Sequence, residues 1–157
     1  MTKTSKIVLK GAIMNCGLAT ALINMVICYL TLAKVSMFLF TELSVNFLGT
    51  AIGCGLLCPL FGGIILKPLQ KEPLNFEDKS SHVLVRWVPN QILLGAVVIA
   101  MFSAILFWGM PVLLFKLLSV EFAIRRIFAC FLLGLYSGVV ATFAAYLGVH
   151  RAYYAKK

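Results

Sequence analysis

The stretch that most constrains this chain runs from Leu43 to Lys67. It opens in a polar turn, continues from Val45 to Leu66 without a single charge, and stops at Lys67-Pro68. Twenty helical residues at about 1.5 Å each cover the roughly 30 Å hydrocarbon core of a bilayer, so the run is long enough to cross one. Its plan returns 75 positions later, from Leu118 to Thr142, where LSVNF becomes LSVEF. Ile52, Leu57, Leu60 and Gly63 recur there as Ile127, Leu132, Leu135 and Gly138, making 8 identities in 25 aligned positions. This predicts two copies of a two-helix membrane unit, repeat 1 over about 7–69 and repeat 2 over about 82–150, linked by a loop at 67–91.

Composition agrees, since 62% of the residues are hydrophobic and only 12% are charged. Soluble domains average about 45–50% and about 25%. Four uncharged spans are expected, about Gly11–Ala33, Val45–Leu66, Ile92–Phe115 and Ile127–Val149. The first is expected to be retained, because no small-residue cleavage site follows it as it would a signal peptide. The predicted fold is therefore all-α and integral to the membrane: one domain, 1–157, with four transmembrane helices in two tandem hairpins.

Charge sets the orientation. With four spans, the amino end, the middle loop and the carboxyl end share one side, and together they carry ten Lys or Arg (Lys3, Lys6, Lys10, Lys67, Lys71, Lys79, Arg86, Arg151, Lys156, Lys157). The opposite side has four, Lys34, Lys116, Arg125 and Arg126. Basic residues accumulate on the cytoplasmic side of membrane proteins, so both termini are predicted there, in an inner (plasma) membrane. The net charge of +9 does not indicate nucleic acid, because the basic residues flank the apolar runs and form no stripe interleaved with aromatics.

In lipid, helices associate through close backbone approach and interhelical hydrogen bonds. Gly134, Gly138, Ala141, Ala145 and Gly148 step by four and three along one face of the last span, and Gly49-x-x-x-Gly53 follows Asn46 in the second. These positions are expected to pack helices. In the first span, Gly17, Thr20, Asn24, Cys28 and Thr31 share a stripe, with Asn15 roughly opposite. Asn24 is expected to face the bundle as an interhelical hydrogen bonder or, alternatively, a pore or ligand contact. All five cysteines lie in apolar runs; Cys54 and Cys58, at i and i+4, could form a soft-metal or redox pair, but no His is near them in sequence. Neither a metal nor a cofactor is expected.

No catalytic triad, phosphate loop or nucleotide fingerprint can be read, and no span holds an ionisable carboxylate or imidazole of the kind proton-driven carriers keep at depth. The densest polar cluster lies at the outer edge. Glu42 and Asn46 lead into the second span, and Glu121, Arg125 and Arg126 into the fourth, with Glu121 and Arg125 at i, i+4 if that helix starts early. The adjacent arginines could hold a phosphate or carboxylate of a lipid or solute, or simply anchor the helix at the head groups.

The basic start, the first span with Asn15, the short outer turn, the second span and the closing Ile65-Leu66-Lys67-Pro68-Leu69 resemble a family of small bacterial membrane proteins built from a duplicated two-helix domain. That resemblance implies a bacterial inner-membrane location and carries no activity or site residue. The leading expectation is a non-enzymatic module, a subunit of a membrane complex or an oligomeric transport element, whose partners are the bilayer and either itself or another membrane protein. A stand-alone small-solute channel or carrier, with Asn24, Asn46 and the outer arginines lining a path, is the alternative. A head-group enzyme using Glu42 and Glu121 ranks below both.

Overall fold

In the computed structural model, the described residues are 3–32, 36–61, 83–118 and 123–154. They form four helices long and apolar enough to cross a membrane: α1 (Lys6–Thr31, starting from a first turn at Lys3), α2 (Glu42–Phe61, starting at Phe40), α4 (Ile92–Leu117) and α5 (Arg126–Tyr154). A one-turn helix, α3 (Val83–Arg86), precedes α4. Two short strands, β1 (Met37–Leu39) and β2 (Ala123–Arg125), lead into α2 and α5 and pair antiparallel with Phe38 opposite Ile124. The strands were not expected. Each lets the chain turn with its backbone groups paired, where no water is guaranteed to satisfy them.

Local chemistry explains the helix ends and kinks. Leu39 is extended, and its N–H donates to the Glu42 carboxylate at 3.0 Å, so Glu42 caps the helix that it begins. At the other end of α2, Pro59 lacks the N–H that would bond to Gly55, and the last turn tightens to 3₁₀ over Cys58–Phe61. Pro111 does the same to Phe107 in α4, where the turn before it widens to π geometry over Ala104–Gly109. A second π turn, Ile13–Gly17, interrupts α1.

The packing crosses between hairpins. α5 is the central helix, with 44% of an 18-residue apolar stretch buried against 17% for that of α1, and it is seated on α1, α2 and α4. α2 packs on α4 and α5, whereas α1 packs chiefly on α5 and makes no comparable seam with its own hairpin partner α2. Glycines mark the closest approaches. A Cβ at Gly138 would meet Ala21 and Gly17 of α1, one at Gly134 would meet Ala21 and Met25, and one at Gly148 would lie 2.5 Å from the Pro59 Cα. Ala141 and Ala145 are fully buried between these contacts. The stripe thus serves two neighbours: a straight helix drifts by about 20° per heptad, so a seven-residue repeat moves from one partner towards the next. Ser137 reinforces the α1 seam, its hydroxyl donating to the Gly134 carbonyl at 2.8 Å and reaching the Thr20 carbonyl at 3.4 Å.

Large apolar side chains point outward. Leu22, Ile23, Val26, Leu30, Leu93, Leu113 and Ile127 are all exposed, a surface that water would not tolerate as a continuous belt and lipid would.

The element positions bear on the predicted duplication. β1 and β2, and the helix starts at Phe40 and Arg126, recur 86 residues apart rather than 75. Residues 43–47 lie inside α2, whereas 119–122, four of the five residues of the matching LSVEF, lie outside the described residues.

Candidate functional site

Because α1 and α2 do not close on each other, they leave a groove of about 730 Å³ between them, floored by Leu133 of α5. From α1 it is lined by Thr20, Asn24, Ile27, Cys28, Thr31 and Leu32; from α2 by Val45, Asn46, Gly49, Thr50, Gly53, Cys54, Leu57, Cys58 and Phe61. The lining of α2 extends over 16 residue steps, about 24 Å of helix. Two asparagines, three threonines and three cysteines converge on it, with no carboxylate, imidazole or cation among the described residues that line it. Such a surface can exchange hydrogen bonds. A second groove, about 510 Å³ between α1, α4 and α5, is lined mainly by apolar side chains; Thr142 and Tyr146 also border it, and the Thr142 hydroxyl is already donated to the Gly138 carbonyl at 2.8 Å.

Two of the residues expected to pack helices face this groove instead. A Cβ at Gly49 or at Gly53 would meet nothing within 4 Å, whereas one at Gly17, Gly55, Gly95, Gly134, Gly138 or Gly148 would press on a neighbouring element. Gly49 and Gly53 therefore join no helix seam among the described residues. Their face looks out between α1 and α2 because the α2–α4 and α2–α5 seams use the other sides of α2, at Gly55 and at Phe47. Asn24 also borders the groove, not the packed α1–α5 seam, and Asn15 is exposed on α1 outside it.

At the groove's Phe61 end, three cysteines come together. The Cys58 thiol is within hydrogen-bonding reach of Cys16 on α1, of Cys54 and of the Thr20 hydroxyl. The remaining two, Cys28 and Cys130, meet across α1 and α5. All five are free and buried. Sequence spacing alone showed only the Cys54–Cys58 pair. Among the described residues, no group of three His, Cys, Asp or Glu is arranged to hold a metal ion.

No family model, curated protein or solved structure matches this chain.

Of the outer polar cluster, the described residues Glu42, Arg125 and Arg126 stand in different settings. Arg125 is exposed on β2, opposite Met37, and α5 begins one residue later, so the early helix start needed for a Glu121–Arg125 pair does not occur. Glu121 itself lies outside the described residues, as does the middle loop from 67 to 82 with His82. Glu42 is occupied as a cap. Arg126 is a clamp: its guanidinium donates to the Tyr29 carbonyl at 2.7 Å and lies 4.2 Å over the Tyr29 ring centre. Tyr29 is in the last turn of α1, where unsatisfied carbonyls carry partial negative charge, so a cation there is doubly placed. Replacing Arg126 with alanine is expected to destabilise the α1–α5 contact by about 1–2 kcal/mol, read as a lower melting temperature in detergent. Arg126→Lys keeps the charge but not the planar fork, and should restore only part of the loss.

Proposed function

We propose that this chain is a non-enzymatic module of the bacterial inner membrane whose α1–α2 groove seats a transmembrane helix from a second copy of itself. The observation that carries the reading is the contrast among glycines: among those described, Gly49 and Gly53 combine the small-xxx-small spacing with open space beside them. Spacing of that kind lets two helix backbones approach closely, and Asn46, Thr50, Thr20 and Asn24 border the same groove as donors and acceptors for the arriving helix. A two-fold contact presents the same patch from both partners, and the Asn46–Gly49–Gly53 face is suited to meet its own copy.

The alternative of a solute path is supported best along the polar α1–α2 groove. Val140, Ala141, Ala144 and Ala145 are fully buried at the bundle centre, on the helix that occupies its axis. A passive path would follow the groove, and would need the second copy to close its open side.

The ten-to-four distribution of Lys and Arg supports a cytoplasmic location for both termini. The tandem duplication draws support from element order, since each hairpin has a helix with a π turn, then a strand, then a second long helix. Antiparallel pairing of β1 with β2 fits two such units related by an axis along the membrane normal.

The test is association in detergent and in native membranes. Wild type is expected to cross-link and sediment as a dimer or larger, and Gly49→Leu combined with Gly53→Leu to run as a folded monomer with the helix content of wild type, its melting temperature lowered only by the lost association. A different membrane protein retained in fixed ratio, and released by the same substitutions, would replace self-association with a mixed complex. Wild type running as a lone monomer at every concentration, with nothing retained, would remove the reading altogether.

A further inference from the structure

The end of the bundle opposite the strands holds a buried arginine that no pairing explains. Arg151 is 4% exposed, and its Nε and Nη1 are buried without a hydrogen-bond partner. Its stem lies against the first turn of α4: a Cβ at Gly95 would sit 2.7 Å from the Arg151 Cδ and 2.8 Å from the Pro89 carbonyl oxygen. Gln91 caps that turn through its backbone alone, accepting the Gly95 N–H at 2.8 Å, with no side-chain cap. A helix start carries unsatisfied N–H groups and about half a positive charge. The structure thus sets a buried arginine beside the positive end of a helix, two like charges with no carboxylate near them among the described residues. Glu42, the single carboxylate among the described residues, caps α2 at the other end of the bundle.

A buried charge with no partner is costly, and a like partial charge beside it adds to the cost. One anion between them removes both penalties. Arg151 stands 25 residues beyond Arg126, about 37 Å along α5, which exceeds the roughly 30 Å hydrocarbon core and sets it at head-group level. Lys6, Lys10 and Arg86 are exposed on elements at the same end.

We infer that Arg151 and the amino-terminal turn of α4 form a binding site for a phosphate-type anion, either the head group of an anionic phospholipid or free phosphate. Arginine suits this chemistry because its planar fork can donate two hydrogen bonds to one phosphate, where lysine offers a point charge.

The test is a titration of the detergent-purified chain with short-chain phosphatidylglycerol, inorganic phosphate, and an uncharged diacylglycerol of the same acyl length, reading the melting temperature. Phosphatidylglycerol should raise it, and Arg151→Gln should move the half-effective concentration up by about ten-fold, the scale of one charge-assisted hydrogen bond. Arg151→Lys, which keeps the charge and most of the stem, is measured in parallel in case the glutamine variant does not fold; its shift should be smaller and in the same direction. Inorganic phosphate working as well as the lipid identifies the free anion as the source. Equal stabilisation by diacylglycerol, or an unchanged response in both variants, would overturn the inference. So would a loss of stability in Glu72→Gln/Glu77→Gln/Asp78→Asn matching that of Arg151→Gln, since the counter-charge would then be internal.

Discussion

Gly148→Leu is expected to disrupt the bundle, whereas Gly53→Leu, an identical change five residues before Cys58 on α2, is expected to leave the single chain's stability untouched. At Gly148 a Cβ would sit 2.5 Å from the Pro59 Cα, 2.7 Å from its carbonyl oxygen and 3.0 Å from its carbonyl carbon. Those atoms are backbone, and proline fixes its own φ, so no side chain can swing away. The two helices must separate, and the seam from Val140 to Val149 opens with them. Overpacking in a core costs about 1–3 kcal/mol when neighbours can adjust, and backbone against backbone places this substitution at or above the upper figure. Gly55 makes a second instance, its Cβ position being 2.5 Å from the Ala100 Cα across the α2–α4 seam. Thermal or denaturant unfolding in a fixed detergent separates these cases. Equal melting temperatures for Gly148→Leu and wild type would mean that α2 and α5 do not meet at Pro59.

The contrast between these glycines shows what the sequence could reveal about the site and what it could not. Period and charge were enough for four spans, because a run without Lys, Arg, Asp or Glu is itself the physical requirement for crossing lipid. The stripe of small residues on α5 was legible for the same reason, as was the Thr20–Asn24–Cys28–Thr31 stripe on α1. Spacing says that a face permits close approach, but not which helix takes it. Gly134 and Gly49 look alike in sequence, and only tertiary structure assigns Met25 to one and open space to the other. The Arg126–Tyr29 clamp was hidden because it joins residues 97 apart through a carbonyl, a group every residue has. The paired strands escaped notice because three residues are too few for period-two alternation to register. Arg151 is, in sequence, one positive charge among the ten expected on one side of the membrane, since burial of an arginine near a helix end has no signature in composition.

A chain divided within the 67–82 segment and co-expressed as residues 1–76 and 77–157 is expected to purify as a one-to-one pair, while either half expressed alone is degraded. The contacts of the bundle dictate this. α1 rests on α5, α2 rests on α4 and α5, and β1 is bonded to β2, so nearly every seam joins the first hairpin to the second. Within the first hairpin, α1 and α2 are separated along the groove by the volume that they line. An isolated first hairpin would lose the partners of Gly17, Ala21 and Met25 on one helix and of Phe47 and Gly55 on the other. Lipid substitutes for apolar contact but not for the Arg126 clamp, the Ser137–Thr20 reach or the strand pairing, and an unpaired strand in a bilayer leaves backbone groups unsatisfied at several kcal/mol each. The connector then serves to keep two interlocked hairpins in one chain, and cutting it should cost little more than the entropy of bringing two pieces together in the plane of the membrane. Independent stability of the first half, measured as accumulation equal to that of the intact chain, would mean that α1 and α2 close on each other in lipid; the groove, and with it the seat for a second copy, would not exist.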